Sequence, residues 1–356
     1  MYRELEKEKT EKGIKRDYYV DHLLKKSDSN TLITGQQYIG KSTIAKRALA
    51  KLTGKIGVYV DLEKISLVPE HFSVAFIETD AGYYLKKEIG LEECGLNDGT
   101  KEIIAKVKNE LEKIKPNHNL LLQLAFSYSE ELSKLAKKKV FIVIDEFWRL
   151  LDLNNFDQIK DILEIFSKYA LANKNTNYAL VGSAVWLMNK INKSLGLEVM
   201  EVKALGLRES GSDDVHYYSQ GLILYVEVLR GSKNVREKFI GECLTKNKII
   251  YNACRSKLDE ALSRARGKAL LFGILKILCS SNGMRLNEIS RKLYRSAAVT
   301  KSLITRLVEV DLVVQDGRLF RFNDPILKFW FRNFVQGNEF ENEPDKNTMK
   351  KIEVDI

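Results

Sequence analysis

Residues 35–42 read Gly35-Gln36-Gln37-Tyr38-Ile39-Gly40-Lys41-Ser42, a match to G-x-x-x-x-G-K-[ST]. No other feature constrains the chain so strongly. The pattern requires a strand before it and a helix after it. Asn30–Thr34 reads as a short apolar strand and Thr43–Leu52 as a helix. The residue types have a physical reason. Glycines let successive backbone N–H groups curl around phosphates, and the helix N-terminus adds positive dipole. The loop Gly35–Thr43 is therefore the candidate ATP/ADP cradle. Lys41, expected to face solvent, would reach the β- and γ-phosphates, and the Ser42 hydroxyl would ligate Mg2+.

A second element supports the first. Val140-Phe-Ile-Val-Ile-Asp145-Glu146 is a run of five apolar residues ending in two carboxylates. Such a run reads as a strand buried on both faces of a parallel sheet. Asp145 then lies at the C-terminal edge, where open α/β sheets bind ligands. Asp145 is the candidate Mg2+ group, and Glu146 the group that polarises the attacking water. The next buried strand ends in Gly182-Ser183, and Ser183 is a candidate γ-phosphate sensor. Arg208, in Leu-Gly-Leu-Arg, is a candidate arginine finger.

Between these motifs, Ile56–Asp61 reads as a buried strand, and Lys86–Lys115 and Asn119–Leu135 as helical runs. Phe156–Ala172 reads as an amphipathic helix and Leu197–Ala204 as an edge strand. Strands alternating with helices up to about residue 205 indicate an α/β parallel sheet. Residues 206–265 read as helical, and 336–356 as a frayed polar tail. The domain expectation is a helical lead-in over 1–30, an ATPase domain over 31–205, a lid over 206–265, a further domain over 266–335 and the tail.

That further domain is basic. The 356 residues carry 58 Lys and Arg against 48 Asp and Glu, net +10. Residues 266–332 alone hold 13 against 5, so most of the excess lies there. Ala269–Ser280, Leu286–Tyr294 and Ala297–Val308 read as helices, followed by a hairpin around Asp316-Gly317. Three helices and a hairpin make a winged helix-turn-helix. Thr300, Lys301, Thr305 and Arg306 would face a groove of duplex DNA. Arg291, Lys292 and Arg295 precede them, and Arg318 and Arg321 sit on the wing. Trp330, Phe331 and Phe334 are expected to be core.

Other classes are excluded by composition. At 44% hydrophobic and 30% charged residues the chain is not globally disordered. No apolar run is long enough to span a membrane. The first sixteen residues lack the apolar stretch of a secretory signal. Cys94, Cys243, Cys254 and Cys279 are widely spaced, which argues against disulfides or zinc and fits a cytoplasmic protein.

The phosphate loop, the VFIVIDE strand and the LVGSA strand resemble the archaeal ATPases of the STAND/AAA+ group of P-loop NTPases. The block Phe320-Arg-Phe-Asn-Asp324-Pro325-Ile-Leu-Lys-Phe-Trp330-Phe-Arg-Asn-Phe334 resembles the signature that closes their winged helix. The resemblance implies a sheet of order 5-1-4-3-2, a helical lid and a C-terminal winged helix. Arg16-Asp17 would correspond to the Arg-Glu box of that family. Two departures are visible: Gln36-Gln37 replaces basic residues, and Gln220-Gly221-Leu222-Ile223 replaces the Gly-Gly-hydrophobic-Pro turn of the lid. The function expected is an ATPase that couples nucleotide state to DNA binding, as an initiator or loader does. The alternative is a STAND-type signalling switch whose winged helix contacts a protein partner or a second copy of the chain.

Overall fold

The computed structural model describes residues 16–356. They form two compact units: residues 16–36 with 40–202, and Gln37–Ile39 with Lys203–Ile356.

The first unit contains α1 (Asp17–Lys25), β1 (Thr31–Thr34), α2 (Lys41–Lys51), β2 (Ile56–Asp61), α3 (Pro69–Leu85), α4 (Asp98–Leu111), α5 (His118–Ala136), β3 (Val140–Asp145), α6 (Ile162–Phe166), β4 (Thr176–Gly182), α7 (Val185–Leu195) and β5 (Glu198–Glu201). The five strands form one parallel sheet in the order β2-β3-β4-β1-β5. Every residue of β3 is buried, and so is every residue of β1. Helices cover both faces of these strands, so they read as unbroken apolar runs. Truncating one such side chain to Ala typically costs about 2–5 kcal/mol. The edge strand β5 buries only Met200. Asp61 on β2 stands directly opposite Asp145 on β3. All ligand-facing ends of the strands therefore lie on one edge of the sheet.

One helical run is interrupted and one helical expectation is corrected. The run Lys86–Lys115 is not continuous. Lys86 ends α3 in the left-handed conformation (φ 57°), a 3-10 turn follows at Leu91–Cys94, and α4 restarts behind an Asn97/Thr100 capping box. The Asn97 side chain accepts from the Thr100 amide at 2.8 Å and so fixes the new start. Nor is Phe156–Ala172 one helix. A 3-10 segment occupies Phe147–Asn155, Asp161 caps α6, and a π turn continues it over Ser167–Leu171. Apolar periodicity survives such breaks because the buried face stays in register, so spacing alone does not reveal them.

The second unit begins with α8 (Leu207–Ser210), α9 (Asp213–Ser219), α10 (Ile223–Leu229), α11 (Val235–Leu244) and α12 (Ile249–Ala265). It continues with α13 (Lys268–Leu278), β6 (Met284–Arg285), α14 (Leu286–Leu293), α15 (Ala297–Glu309), β7 (Val313–Asp316), β8 (Leu319–Phe322), α16 (Pro325–Gln336) and α17 (Lys346–Lys351). Strands β6, β8 and β7 form a small antiparallel sheet. The two-residue β6 is too short to read from the sequence. Gly221 cannot be replaced without strain. Its φ is +70°, and a Cβ there would lie 2.3 Å from the Leu205 carbonyl oxygen.

Residues 336–356 are not a frayed tail. Phe340 exchanges backbone hydrogen bonds with Leu244 and Lys246, each at 2.9 Å. Met349 and Ile352 are buried, and Arg236 donates to the Ile352 carbonyl at 2.7 Å. A few apolar anchors and one arginine are enough to hold an otherwise polar segment.

Asp324 organises the end of this unit. Its Oδ1 accepts from the Ile326 and Leu327 amides and caps α16, while Lys257 donates to Oδ2 at 2.7 Å. Burial alone would raise its pKa; the Lys257 charge and these hydrogen bonds outweigh burial and hold it below the usual carboxylate range. We predict that Asp324→Ala destabilises the protein by about 3 kcal/mol, because it removes a cap and leaves the half-buried Lys257 without its partner. A depressed carboxylate contributes stability above its unfolded pKa, about 3.9, and loses it as pH falls through the lower folded value. Urea unfolding of both proteins at pH 7 and in acid should therefore show the gap shrinking in acid.

Candidate functional site

The loop Gly35–Gly40 lies between β1 and α2, the context that the motif requires. Gly40, the N-cap of α2, adopts φ 83°, ψ 24°, a left-handed conformation open to glycine at little cost. Tyr38 also has positive φ, 65°. No acidic residue occupies the first turn of α2 and no side chain caps it. Its N-terminal amides and dipole suit an anion.

Lys41 is buried, 5% exposed, which corrects the expectation that it faces solvent. It opens α2, and its ammonium folds back to donate to the Gln36 carbonyl at 2.8 Å. Gly35 is buried, Gln36 and Thr43 are exposed, and Ser42 is half-buried. Gln37, Tyr38 and Ile39 belong to the second unit. There the Tyr38 hydroxyl donates to the Ala253 carbonyl at 3.2 Å, and its ring lies 5.7 Å from that of Tyr225. Arg208 is exposed on α8 of the second unit.

Asp145 ends β3 and is 4% exposed. Its Oδ1 accepts from the Glu146 amide at 3.0 Å, and its Oδ2 accepts from the buried Tyr59 hydroxyl. Glu146 follows at φ 50°, ψ 46°, a strained backbone for a residue with a Cβ. That conformation turns its carboxylate across the strand ends. Oε2 accepts from the Ser183 hydroxyl at 2.9 Å, the Ser183 amide at 3.3 Å and the Trp148 indole. Burial, and then the charge of Asp145, push the Glu146 carboxyl upward. The Lys41 ammonium and the Trp148 and Ser183 hydrogen bonds pull the other way. Lys41, Asp145, Glu146 and Ser183 thus gather at the C-terminal edge of the sheet.

Ser42 and Asp145 offer hard oxygen donors. Magnesium typically takes one or two such protein groups and completes its shell with phosphates and water. Among the described residues no group of three His, Cys, Asp or Glu side chains forms a self-sufficient metal site. Ser42 and Asp145 are thus two oxygen donors of the kind magnesium takes.

In the basic module, Arg291, Lys292, Arg295, Lys301, Thr305, Arg306, Arg318 and Arg321 are all exposed. Thr300 is not. It is completely buried on the inner face of α15, so it cannot meet a groove. Thr300 shares that face with Leu303, Ile304 and Leu307, and the helical repeat turns Lys301 and Thr305 outward. Trp330 and Phe331 are fully buried, and Phe334 stacks on Trp330 at 5.2 Å.

With this geometry established, the chain was compared with known proteins. No family model matches it, and no curated protein is significantly similar in sequence. Among solved structures, a Walker-type ATPase of Pyrococcus abyssi aligns at a TM-score of 0.61. The alignment covers 90% of this chain and 96% of that one at 16% identity. The fold is a P-loop NTPase fold. A fainter likeness, at a TM-score of 0.44 and 13% identity, is to the ORC2 protein of Aeropyrum pernix, over 90% of this chain and 92% of that one. Among the described residues no helix is long and apolar enough to cross a membrane.

Two residues join this cluster without having been given a role there from the sequence. Trp148 looks like core, and its ring is buried; only its indole N–H reaches Glu146. Tyr59 sits within an apolar strand, with no local signal that its hydroxyl meets Asp145, 86 residues away. We predict that Trp148 reports the protonation of Glu146. The emission difference between the native protein and Trp148→Phe should titrate with a midpoint above the ordinary glutamate value of about 4.3. Ser183→Ala removes a donor to the carboxylate and should move that midpoint higher still.

Proposed function

We propose that this chain is an ATP-binding and ATP-hydrolysing P-loop protein that couples its nucleotide state to duplex DNA binding through a basic winged helix. The convergence of Lys41, Asp145, Glu146 and Ser183 at one sheet edge, beside an uncapped helix N-terminus, carries this reading. Lys41 would leave the Gln36 carbonyl for the β- and γ-phosphates. Ser42 and Asp145 would hold Mg2+, which when bound supplies positive charge between the phosphates. Glu146 would orient the attacking water and accept its proton, favoured by a raised carboxyl pKa. Ser183 already gives its hydroxyl proton to Glu146, so we assign it to holding that carboxylate as much as to sensing the γ-phosphate.

For the second activity, α13, α14, α15 and the β7–β8 hairpin are read as the winged helix. Lys301 and Arg306 would lie on its recognition helix and Arg318 and Arg321 on its wing, all exposed and within the most basic stretch of the chain. Binding and release of ATP would shift the population of DNA-competent conformations. A cytoplasmic location fits such a protein. One observation favours the alternative of a signalling switch. Tyr294, Val299 and Leu319 are 85%, 44% and 40% exposed on the same module, and a protein partner could cover them.

Two experiments test the reading. In the first, Lys41→Ala should lose ATP binding by calorimetry while its circular dichroism is unchanged. Glu146→Gln should still bind ATP but turn over about 100-fold more slowly or worse, the usual cost of removing a general base. Unchanged affinity or unchanged turnover removes the corresponding assignment. In the second, fluorescence anisotropy of the full chain on duplex DNA should show affinity falling steeply with salt. The log–log slope should be near −0.9 per neutralised phosphate. Lys301→Ala with Arg306→Ala, and Arg318→Ala with Arg321→Ala, should each make the slope shallower, by about one for every phosphate left without its cation. No binding at about 50 mM salt would remove the DNA reading and promote the signalling switch.

A further inference from the structure

Tyr59 is the unexplained group of the first unit. It is 2% exposed in the middle of β2, opposite Val143. Its side chain runs along the sheet toward the strand ends and spans the two-residue rise, about 6.6 Å, that separates it from the level of Asp145. There its hydroxyl donates to Asp145 Oδ2. The Ser42 hydroxyl is near enough to this phenol oxygen to pull the phenol's pKa down, against the larger upward push of burial and the Asp145 charge. Lys46 on α2 lies over the ring, 5.1 Å from its centroid, and pins it against α2. A single phenol thus bonds Asp145 and lies beside Ser42, the two residues to which the proposed function gives the magnesium ion.

The direction of the donors matters. A cation needs lone pairs. With the Tyr59 proton committed to Asp145, the Tyr59 oxygen has only lone pairs to offer Ser42, so a Ser42 hydroxyl that donates to it would keep its own lone pair for the phosphate side. On Asp145, Oδ1 is held by the Glu146 amide and Oδ2 by Tyr59. The carboxylate is thereby fixed in rotation, and each oxygen keeps a second acceptor site for a metal-bound water. Phenylalanine would fill the same space but orient neither group.

We infer that Tyr59 is a positioning residue that prepares Ser42 and Asp145 for magnesium, and that it contributes to the Mg2+-dependent part of ATP affinity and not to phosphate binding itself. This inference rests on the nucleotide-site reading above.

The test is Tyr59→Phe in the full chain, with ATP affinity measured by calorimetry in Mg2+ and again in EDTA. Native protein should bind ATP more tightly with Mg2+. In the variant that advantage should shrink by about tenfold, the worth of one hydrogen bond to a charged group, while affinity in EDTA stays the same. In an Asp145→Asn background, Tyr59→Phe should have little further effect on the Mg2+ advantage, as expected for residues acting through one another. An unchanged Mg2+ advantage in Tyr59→Phe overturns the inference. So does a variant that no longer folds, since the hydroxyl would then be a structural bond. Native protein that binds ATP equally with and without Mg2+ overturns this inference alone. Native protein that binds no ATP in either buffer overturns the nucleotide reading on which it rests.

Discussion

The architecture of the first unit depends on burying β3 on both faces. Five apolar residues pack between helical layers, and the strand can end only where the layers stop. Its first charged residue, Asp145, is carried to that boundary. A carboxylate further inside would have to be neutralised or paired at a cost of several kcal/mol. The same layering delivers Asp61, Gly182 and Thr34 to the same edge, because parallel strands of similar length share one polarity. The loop leaving β1 then meets the carboxylates without any further device.

What is added at that edge is restraint. Glu146 accepts a left-handed backbone, a strain of roughly 1–3 kcal/mol. The three donors on its Oε2 and the buried Phe147 that follows hold it there. Asp145 is held through both oxygens, and Lys41 through a loop carbonyl. Groups restrained in this way would lose little conformational entropy on meeting a ligand, which is how preorganised sites turn contacts into affinity. The second unit follows a different rule. The cations of α14, α15 and the β7–β8 hairpin stay in solvent while Phe329, Trp330 and Phe331 lie inside, so the inner face gives stability and the outer face is left to electrostatics.

Local patterning alone located much of this. The loop Gly35–Ser42 falls between a strand and a helix, β3 and β4 lie where their apolar runs stand, and three helices and a hairpin follow residue 266. These signals are short-range: glycine conformational freedom, unbroken apolar runs, Asp-Gly turn chemistry and helical spacing each act within a few residues. The clustering of positive charge in residues 266–332 is likewise a property of the chain before it folds.

Only the tertiary structure decided the rest. The Tyr59 hydroxyl gains its meaning from pairing β2 with β3, and the Trp148 indole from the turn at Glu146. Thr300 looked available because an α-helix offers every residue type to some face; packing of the Leu303–Leu307 face turned it inward. The final segment looked unfit for folding by composition, yet Met349, Ile352 and the Arg236 hydrogen bonds hold it in place. The sequence by itself determined which elements form and what chemistry their ends carry, because backbone conformation and burial are read over a few residues. Which side chains meet was decided by contacts between residues far apart in the chain, and those exist only once the sheet and its helices have packed.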